Sequence, residues 1–440
     1  MGTAHRLLVV GLAFVVVFAV AASLCAQTTR TPGQDARSVA VSTVGLSAAE
    51  LIDLAAEYGW NEDPATERSL LQAAAAMRPG IDAARARVLL AEAVLFTGDR
   101  TTATVLLDKA RTQYPDPEII AFADLVQGLM PLTPEDGGHG KRLYSDYDVM
   151  GKLCAVAADQ WRGKFLGGWA SIRLAALCRD PLGEPDRAAA ILESTSRDYA
   201  GSPFGEYALE DLAAIVTFSL RGFGEGRERY EALLATTASD FIKQRATLHY
   251  GELLMDSHED AGACELFSSF INAWPAHAAT VGAYALRAYV EAEQSLWDEA
   301  ASDADAYLAA GTASPAYVGK AHLVRGEVAR ARGDLDQAER EFLMVDDPFL
   351  IPSAKADLGY CRAARGDLGG AIASFVDASR SLIGDQSCAP FYLYQAGLLA
   401  QRLGDRAAFK RVLDTMIAEF PRHDLTSRLA GREVTPVPEI

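Results

Sequence analysis

Residues 326–342 read GEVARARGDLDQAEREF, residues 359–375 read GYCRAARGDLGGAIASF, and residues 397–413 read GLLAQRLGDRAAFKRVL. Each opens on a glycine (Gly326, Gly359, Gly397) and carries a Gly-Asp pair seven residues later (Gly333-Asp334, Gly366-Asp367, Gly404-Asp405). In the first two, a small residue (Ala338, Ala371) is followed one helical turn on by Phe342 or Phe375; the third has Phe409 and Leu413. This is a helix, a tight turn and a second helix, written three times. A glycine inside a helix costs roughly 1 kcal/mol against alanine, so its place implies a packing reason. The glycine of the Gly-Asp pair accepts the positive φ that follows a helix end, and aspartate favours a turn. Pro421 cannot continue a helix and stops the third segment.

Working upstream, residues 84–117 repeat the pattern with Ala91, Gly98-Asp99, Ala103, Leu107, Ala110 and Tyr114-Pro115. Residues 169–202 carry Ala176, Gly183-Glu184, Ala188 and Leu192, and residues 207–240 carry Ala214, Gly226 and Tyr230. Residues 244–277 offer Gly251, Ala263, Phe267 and Trp274-Pro275; residues 281–314 offer Ala288, Trp297, Ala300 and Tyr307. The pattern is faint over 152–240. These segments resemble the tetratricopeptide repeat (TPR): a small residue in the first helix, a Gly-Asp-like turn, a small then a large residue in the second, a closing proline, and a period of about 34 residues. The resemblance implies an all-α fold, a right-handed superhelical α-solenoid in which each helix pair buries its apolar face only against the next. No run of alternating apolar and polar residues bounded by hairpin turns competes with it.

Outside the repeats, residues 1–26 read as a secretory signal: His5 and Arg6, an apolar run over 7–20, then Ala21-Ala22-Ser23-Leu24-Cys25-Ala26. The run is short for a membrane span of about 20 residues. Cleavage after Ala26 is the primary reading, with a retained anchor or lipidation of Cys25 as alternatives; Leu24 stands where a lipobox wants a small residue. Residues 27–46 form a flexible leader. A helical, TPR-like segment spans 47–130, opened by Ser47 as N-cap with Glu50 three residues on. Residues 131–142, with two prolines and three glycines, are a loop or hinge; the solenoid resumes over 143–431 and a disordered tail covers 432–440.

The formal net charge of -18 disfavours nucleic acid and anionic membrane surfaces as partners. Of six cysteines, Cys154, Cys178, Cys264, Cys361 and Cys388 lie beyond the signal, and none has Cys-x-x-Cys spacing. They read as small buried hydrophobes, with Cys361/Cys388 or Cys154/Cys178 as candidate bridges. Gly140-Lys141 lacks the earlier glycine and following Ser or Thr of a phosphate loop. His258-Glu259-Asp260 falls where other repeats place their turn, and His249 and His322 lack a second histidine at zinc-binding spacing. Gly222, Gly224 and Gly226 join two helices rather than following a strand. No catalytic, cofactor or metal residue is assigned.

What remains is surface. In TPR proteins the first helices line a concave groove that binds peptides or partner helices. Helical periodicity places Glu252, Met255, Tyr289, Glu327, Arg330, Tyr360, Tyr394 and Arg402 on that face. Tyrosine and arginine are enriched in interface hot spots, which singles out Tyr289, Tyr360 and Tyr394. Export together with tandem repeats resembles the accessory TPR proteins of bacterial envelope complexes. The implied function is a non-catalytic periplasmic scaffold binding an envelope protein. The alternative is a small-molecule or glycan-binding accessory of a transporter or cell-wall enzyme.

Overall fold

The computed structural model describes residues 45–60, 64–95, 97–130, 144–275, 277–310, 315–383 and 386–432. The signal, all but the end of the leader, the loop at 131–142 and residues 433–440 lie outside the described residues. Among the described residues the chain is an all-α solenoid of TPR-like helix pairs, with 21 helices and no strand. In order they are α1 Ala48–Trp60, α2 Pro64–Ala75, α3 Ile81–Leu95, α4 Arg100–Gln113, α5 Pro117–Leu129, α6 Tyr144–Gln160, α7 Phe165–Arg179, α8 Pro185–Asp198, α9 Pro203–Ala214, α10 Phe223–Thr236 and α11 Asp240–Asp256. There follow α12 Asp260–Ala273, α13 Ala278–Glu293, α14 Trp297–Ala309, α15 Pro315–Ala331, α16 Leu335–Leu343, α17 Ile351–Ala364, α18 Leu368–Arg380, α19 Ala389–Leu403, α20 Arg406–Glu419 and α21 Asp424–Ala430. The described residues up to Leu253 form one compact unit and those from Leu254 onward another.

The turn inside each pair is one device used repeatedly. Gly98, Gly333, Gly366 and Gly404 leave the first helix with φ of 84°, 82°, 86° and 75°, backbone that glycine adopts without strain. Arg221, His258 and Ser295 occupy the same slot at φ 58°, 59° and 61°, so His258 is an exposed turn residue. The aspartate after the glycine is the N-cap of the second helix. Asp99 accepts from Thr102 N at 2.9 Å, Asp334 from Gln337 N at 2.9 Å, Asp367 from Gly370 N at 2.8 Å and Asp405 from Ala408 N at 2.8 Å. Each cap contributes about 1 kcal/mol. At the start of α1, Glu50 N donates to Ser47 Oγ at 3.3 Å while Ser47 N donates to Glu50 at 2.7 Å, a reciprocal capping box.

The mid-helix glycines are seats for aromatic rings. A Cβ on Gly326 would stand 2.6 Å from Cδ1 of Phe342, and one on Gly359 would stand 2.8 Å from Phe375. In the last repeat the same seat is taken differently. Gly397 lies under Leu429 of α21, 2.6 Å from where its Cβ would be. Beneath it Ala408, Phe409, Val412 and Met416 are buried. Among the described residues a single short helix, α21, covers the apolar face of this pair.

In the unit up to Leu253, Phe122 is fully buried with its ring 4.9 Å from Trp169 and 6.0 Å from Phe165. Glu118, buried at the start of α5, accepts from Leu166 N at 2.9 Å and pairs with Arg85 at 3.1 Å, tying α3, α5 and α7 together. The later half of helix α6 falls in the stretch where the sequence pattern is faint. It buries Met150, Cys154 and Ala157 but leaves Val149 (43 %) and Val156 (65 %) exposed, which blurs its apolar face. A five-residue π turn, Ile215–Ser219, extends α9 before the chain turns back. The five described cysteines are free, so neither Cys361/Cys388 nor Cys154/Cys178 is bridged. Burial pushes the thiol of Cys361 up to about 11 and that of Cys154 up to about 12.

One carboxylate gives the unit from Leu254 a pH signature. Glu291 on α13 is buried, 3.6 Å from Arg287, which is itself held by Asp303 at 2.5 Å. Burial first, then the charge of Asp303 and Glu299 against that of Arg287, push its pKa from 4.5 to about 7. A folded-state pKa above the unfolded one means stability that is fully present below pH 4.5 and is lost as pH rises through 7. Glu291→Gln is therefore expected to unfold later in urea than the wild type at pH 8, by about 1–2 kcal/mol after allowance for solvent screening. At pH 4.5 the two should coincide. Equal midpoints at pH 8 would contradict the assignment.

Candidate docking face

The eight residues singled out from sequence all fall on first helices: Glu252 and Met255 on α11, Tyr289 on α13, Glu327 and Arg330 on α15, Tyr360 on α17, and Tyr394 and Arg402 on α19. Their environments differ. Glu252 lies in the unit that ends at Leu253 and is buried; Met255 is buried in the other unit. Tyr289 is only 7 % exposed, so most of its ring is core. Tyr360 is partly exposed, its ring edge-on to Phe375 at 4.9 Å, and burial and Asp357 push its phenol up to about 12. Tyr394 is partly exposed beneath Arg432, whose guanidinium carbon lies 5.9 Å from the ring and whose Nη2 donates to the phenol oxygen at 3.3 Å. Arg402 is exposed.

The structure adds residues that the sequence reading missed. Lys320 on α15 is buried with its ammonium 5.7 Å from the Tyr289 ring centroid and 6.0 Å from that of Tyr317. Arg330 Nη2 reaches Asp357 Oδ1 at 3.6 Å. Glu327 has its carboxyl pushed well up, by burial first and then by Asp357 and Glu293, against the pull of Arg330. A partial signal existed: Glu293 lies four residues after Tyr289 and Asp357 three before Tyr360, spacings that share a helix face. Lys320, seven residues before Glu327, lies on the same face but reads as an ordinary surface lysine until its neighbours are known.

Two histidine–carboxylate pairs bear on chemistry. His249 Nδ1 lies 2.5 Å from Glu210 Oε1, and His322 Nδ1 lies 2.8 Å from Glu341 Oε2. Glu210 is fully buried, and its other oxygen accepts from Arg245 Nε at 2.7 Å. Glu341 is shared with Arg325 at 3.1 Å. Among the described residues neither imidazole hydrogen-bonds a Ser, Thr or Cys side chain, so neither pair has the nucleophile–base contact of covalent catalysis. An open cleft of about 260 Å³ is lined by Asp305, Arg325, Arg332 and Gln337. Its cations are engaged, Arg325 with Asp305 at 3.4 Å and Arg332 with Asp298 at 2.5 Å. No group of three or more metal-ligating side chains is present, and no helix is long and apolar enough to cross a membrane, both among the described residues.

No family model matches the sequence, and no curated protein matches it. Solved structures do. The human IFIT1 dimer is 12% identical, covering 88% of this chain and 95% of its own, with a TM-score of 0.49. A tetratricopeptide repeat protein from Parabacteroides merdae is 14% identical, covering 60% of this chain and 96% of its own, at 0.44. PilW, a type IV pilus biogenesis factor, is 18% identical, covering 51% of this chain and 98% of its own, at 0.43. Each is what this chain is similar to.

Proposed function

We propose that the chain is a non-catalytic, exported scaffold that docks a protein partner along the first-helix face of residues 254–432. Residues 1–26 act as its export signal, residues 27–46 as a leader, residues 131–142 as a hinge and residues 432–440 as a disordered tail. Its partner is a protein of the bacterial cell envelope, met in the periplasm. The observation that carries the reading is the series of polar and aromatic side chains on consecutive first helices. Glu327 and Arg330 on α15, Tyr360 on α17, and Tyr394 and Arg402 on α19 all retain exposed surface. Partly exposed tyrosines and arginines, each backed by a packed helix pair, are the side chains from which interface hot spots are drawn. Tyr289 joins them through its buried ring, as the floor of the face rather than as a projecting contact.

The test is affinity capture from envelope extracts with the wild type and a Tyr394→Ala/Arg402→Glu variant, after circular dichroism has shown equal helix content. Both side chains touch the surface, so the fold should survive. The expected result is at least a tenfold loss of the principal captured protein. An unchanged set of captured proteins would sink the docking face.

A further inference from the structure

We infer that the C-terminal end of α19, where Arg402, Arg406 and Arg432 gather, receives the side-chain carboxylates of a short acidic stretch in a bound polypeptide. The inference rests on the docking reading and names the partner's chemistry at one end of that face.

The chain carries a formal charge of -18, yet residues 386–432 hold seven Lys and Arg against four Asp and Glu. Three of those four acids are engaged. Asp405 accepts from Ala408 N at 2.8 Å, Asp414 pairs with Lys410 at 2.7 Å and Asp424 pairs with Arg428 at 2.7 Å. Arg402, Arg406, Arg411 and Arg422 are exposed, and among the described residues no ion pair or hydrogen bond holds their guanidinium groups. Elsewhere in residues 254–432 only the guanidinium groups of Arg340 and Arg380 share that state among the described residues.

Three guanidinium groups come together at the turn between α19 and α20. Gly404, at φ 75°, reverses the chain; its N–H donates to Gln401 O at 3.1 Å and that of Asp405 to Ala400 O at 3.0 Å. Arg406 therefore opens α20 beside the last turn of α19, which carries Arg402. Arg432 returns to the same place after α21. Its Nη1 donates to Gln401 Oε1 and its Nη2 to the Tyr394 phenol, both at 3.3 Å. Both acceptors are neutral, so this third charge meets no carboxylate among the described residues.

Helix stability accounts for only part of the arrangement. Arg402 lies in the last turn of α19, where a cation suits the helix dipole. Arg406 is the first residue of α20, where a cation opposes it. A guanidinium set against the dipole and without an ion pair points to an anion from outside, and its planar fork fits a carboxylate at two oxygens. The anion must also be short. Residues 256–305 hold ten Asp and Glu with Arg287 as their one Lys or Arg, so an extended polyanion, a nucleic acid or an anionic membrane, is repelled. Four helices, α15 to α18, lie between those acids and α19. Adjacent helix axes are about 8–10 Å apart, so a stretch confined to the last pair stays beyond the Debye length of about 10 Å. Tyr394 and Arg402 belong to the docking face, so a polypeptide on that face reaches this end of it.

The test is calorimetric titration of the full chain with an N-acetylated, C-amidated hexaglutamate peptide, whose charge lies in its side chains alone. Capped hexaglutamine, a thymidine oligonucleotide and phosphatidylglycerol vesicles serve as comparisons. Hexaglutamate should bind one to one, with affinity that falls as salt rises, and hexaglutamine should give no heat. Arg406→Gln/Arg432→Gln should weaken binding at least tenfold, and Arg406→Gln alone at least threefold, with helix content unchanged by circular dichroism. Arg340→Gln, the same charge change at an exposed position of α16, should leave it unchanged. No binding, equal weakening by Arg340→Gln and Arg406→Gln, or tighter binding of the oligonucleotide or the vesicles than of the peptide would each overturn the inference. The two failures separate cleanly. If hexaglutamate does not bind while Tyr394→Ala/Arg402→Glu abolishes capture, the acidic partner falls and the docking face stands. If hexaglutamate binds as expected while capture is unchanged in both double variants, the docking face falls and the carboxylate site stands.

Discussion

Glu210→Ala is expected to lower the unfolding free energy by about 3–5 kcal/mol. Glu210 on α9 is fully buried between two groups of α11: it accepts from Arg245 through both Nε, at 2.7 Å, and Nη2, and from His249 Nδ1 at 2.5 Å. Arg245 also reaches Asp211 at 2.9 Å. Removing Glu210 takes from the buried Arg245 guanidinium the carboxylate that holds it at two nitrogens, and from the largely buried His249 imidazole the carboxylate it is bonded to. The loss therefore comes mainly from cations stranded without compensation, not from the net worth of the pair. Urea unfolding of wild type and variant measures it, and a loss under 1 kcal/mol would contradict the network.

The same network fixes a pH dependence. Burial opposes ionisation of Glu210, yet Arg245 and His249 hold its pKa down to about 2. Its contribution to stability is present above pH 4.5 and is lost as pH falls towards 2. Burial also opposes protonation of His249, yet Glu210 raises its pKa above 6.5. The stability from His249 is therefore full below pH 6.5 and declines as pH rises through the raised value. In Glu210→Ala the imidazole loses its anion, so its titration, followed by nuclear magnetic resonance, should move to lower pH.

The second large effect lies in the repeat that decides the fold. Phe342→Ala is expected to cost about 3–5 kcal/mol, because Phe342 is buried and its removal opens a cavity against Gly326. The partner change distinguishes a ring seat from a merely tolerated glycine. On helix propensity alone Gly326→Ala should stabilise by about 1 kcal/mol. The Cβ would meet Phe342, however, and overpacking of that kind costs about 1–3 kcal/mol. A destabilising Gly326→Ala, relieved when Phe342→Leu is added, is the expected pattern in a double-mutant cycle. A stabilising Gly326→Ala would mean that the ring does not sit there.

These two sites also mark the limits of what the sequence discloses. The positions of Gly326, Gly359, Phe342 and Phe375 were legible because close helix packing writes small and large residues at fixed spacing, but that each glycine seats one of these rings was not. The turn was legible for a similar reason, although the aspartate proved to be a helix cap as well. The Glu210–Arg245–His249 network was not legible. Glu210 and Arg245 stand 35 positions apart on different helices, and nothing local marks a charge as buried. Helix α6 lies inside the solenoid expected over 143–431 but received no bounds of its own, because Val149 and Val156 face outward and break its apolar stripe. On the proposed docking face, periodicity placed each residue on its first helix. Periodicity cannot say how deep a side chain sits: Tyr289 is mostly core while Tyr394, on an equivalent helix, is partly exposed. Depth depends on the neighbouring pair, and that information lies about 34 residues away.

The central claim is that first helices, not second helices, meet the partner. Site-specific photo-crosslinking in the native host tests it most directly, with a benzophenone side chain placed at Tyr394 on α19 or at Ile417, 49 % exposed on α20. The expected result is a discrete crosslinked protein from position 394 and none from position 417. Crosslinking from position 417 alone, or the same products from both, would contradict it.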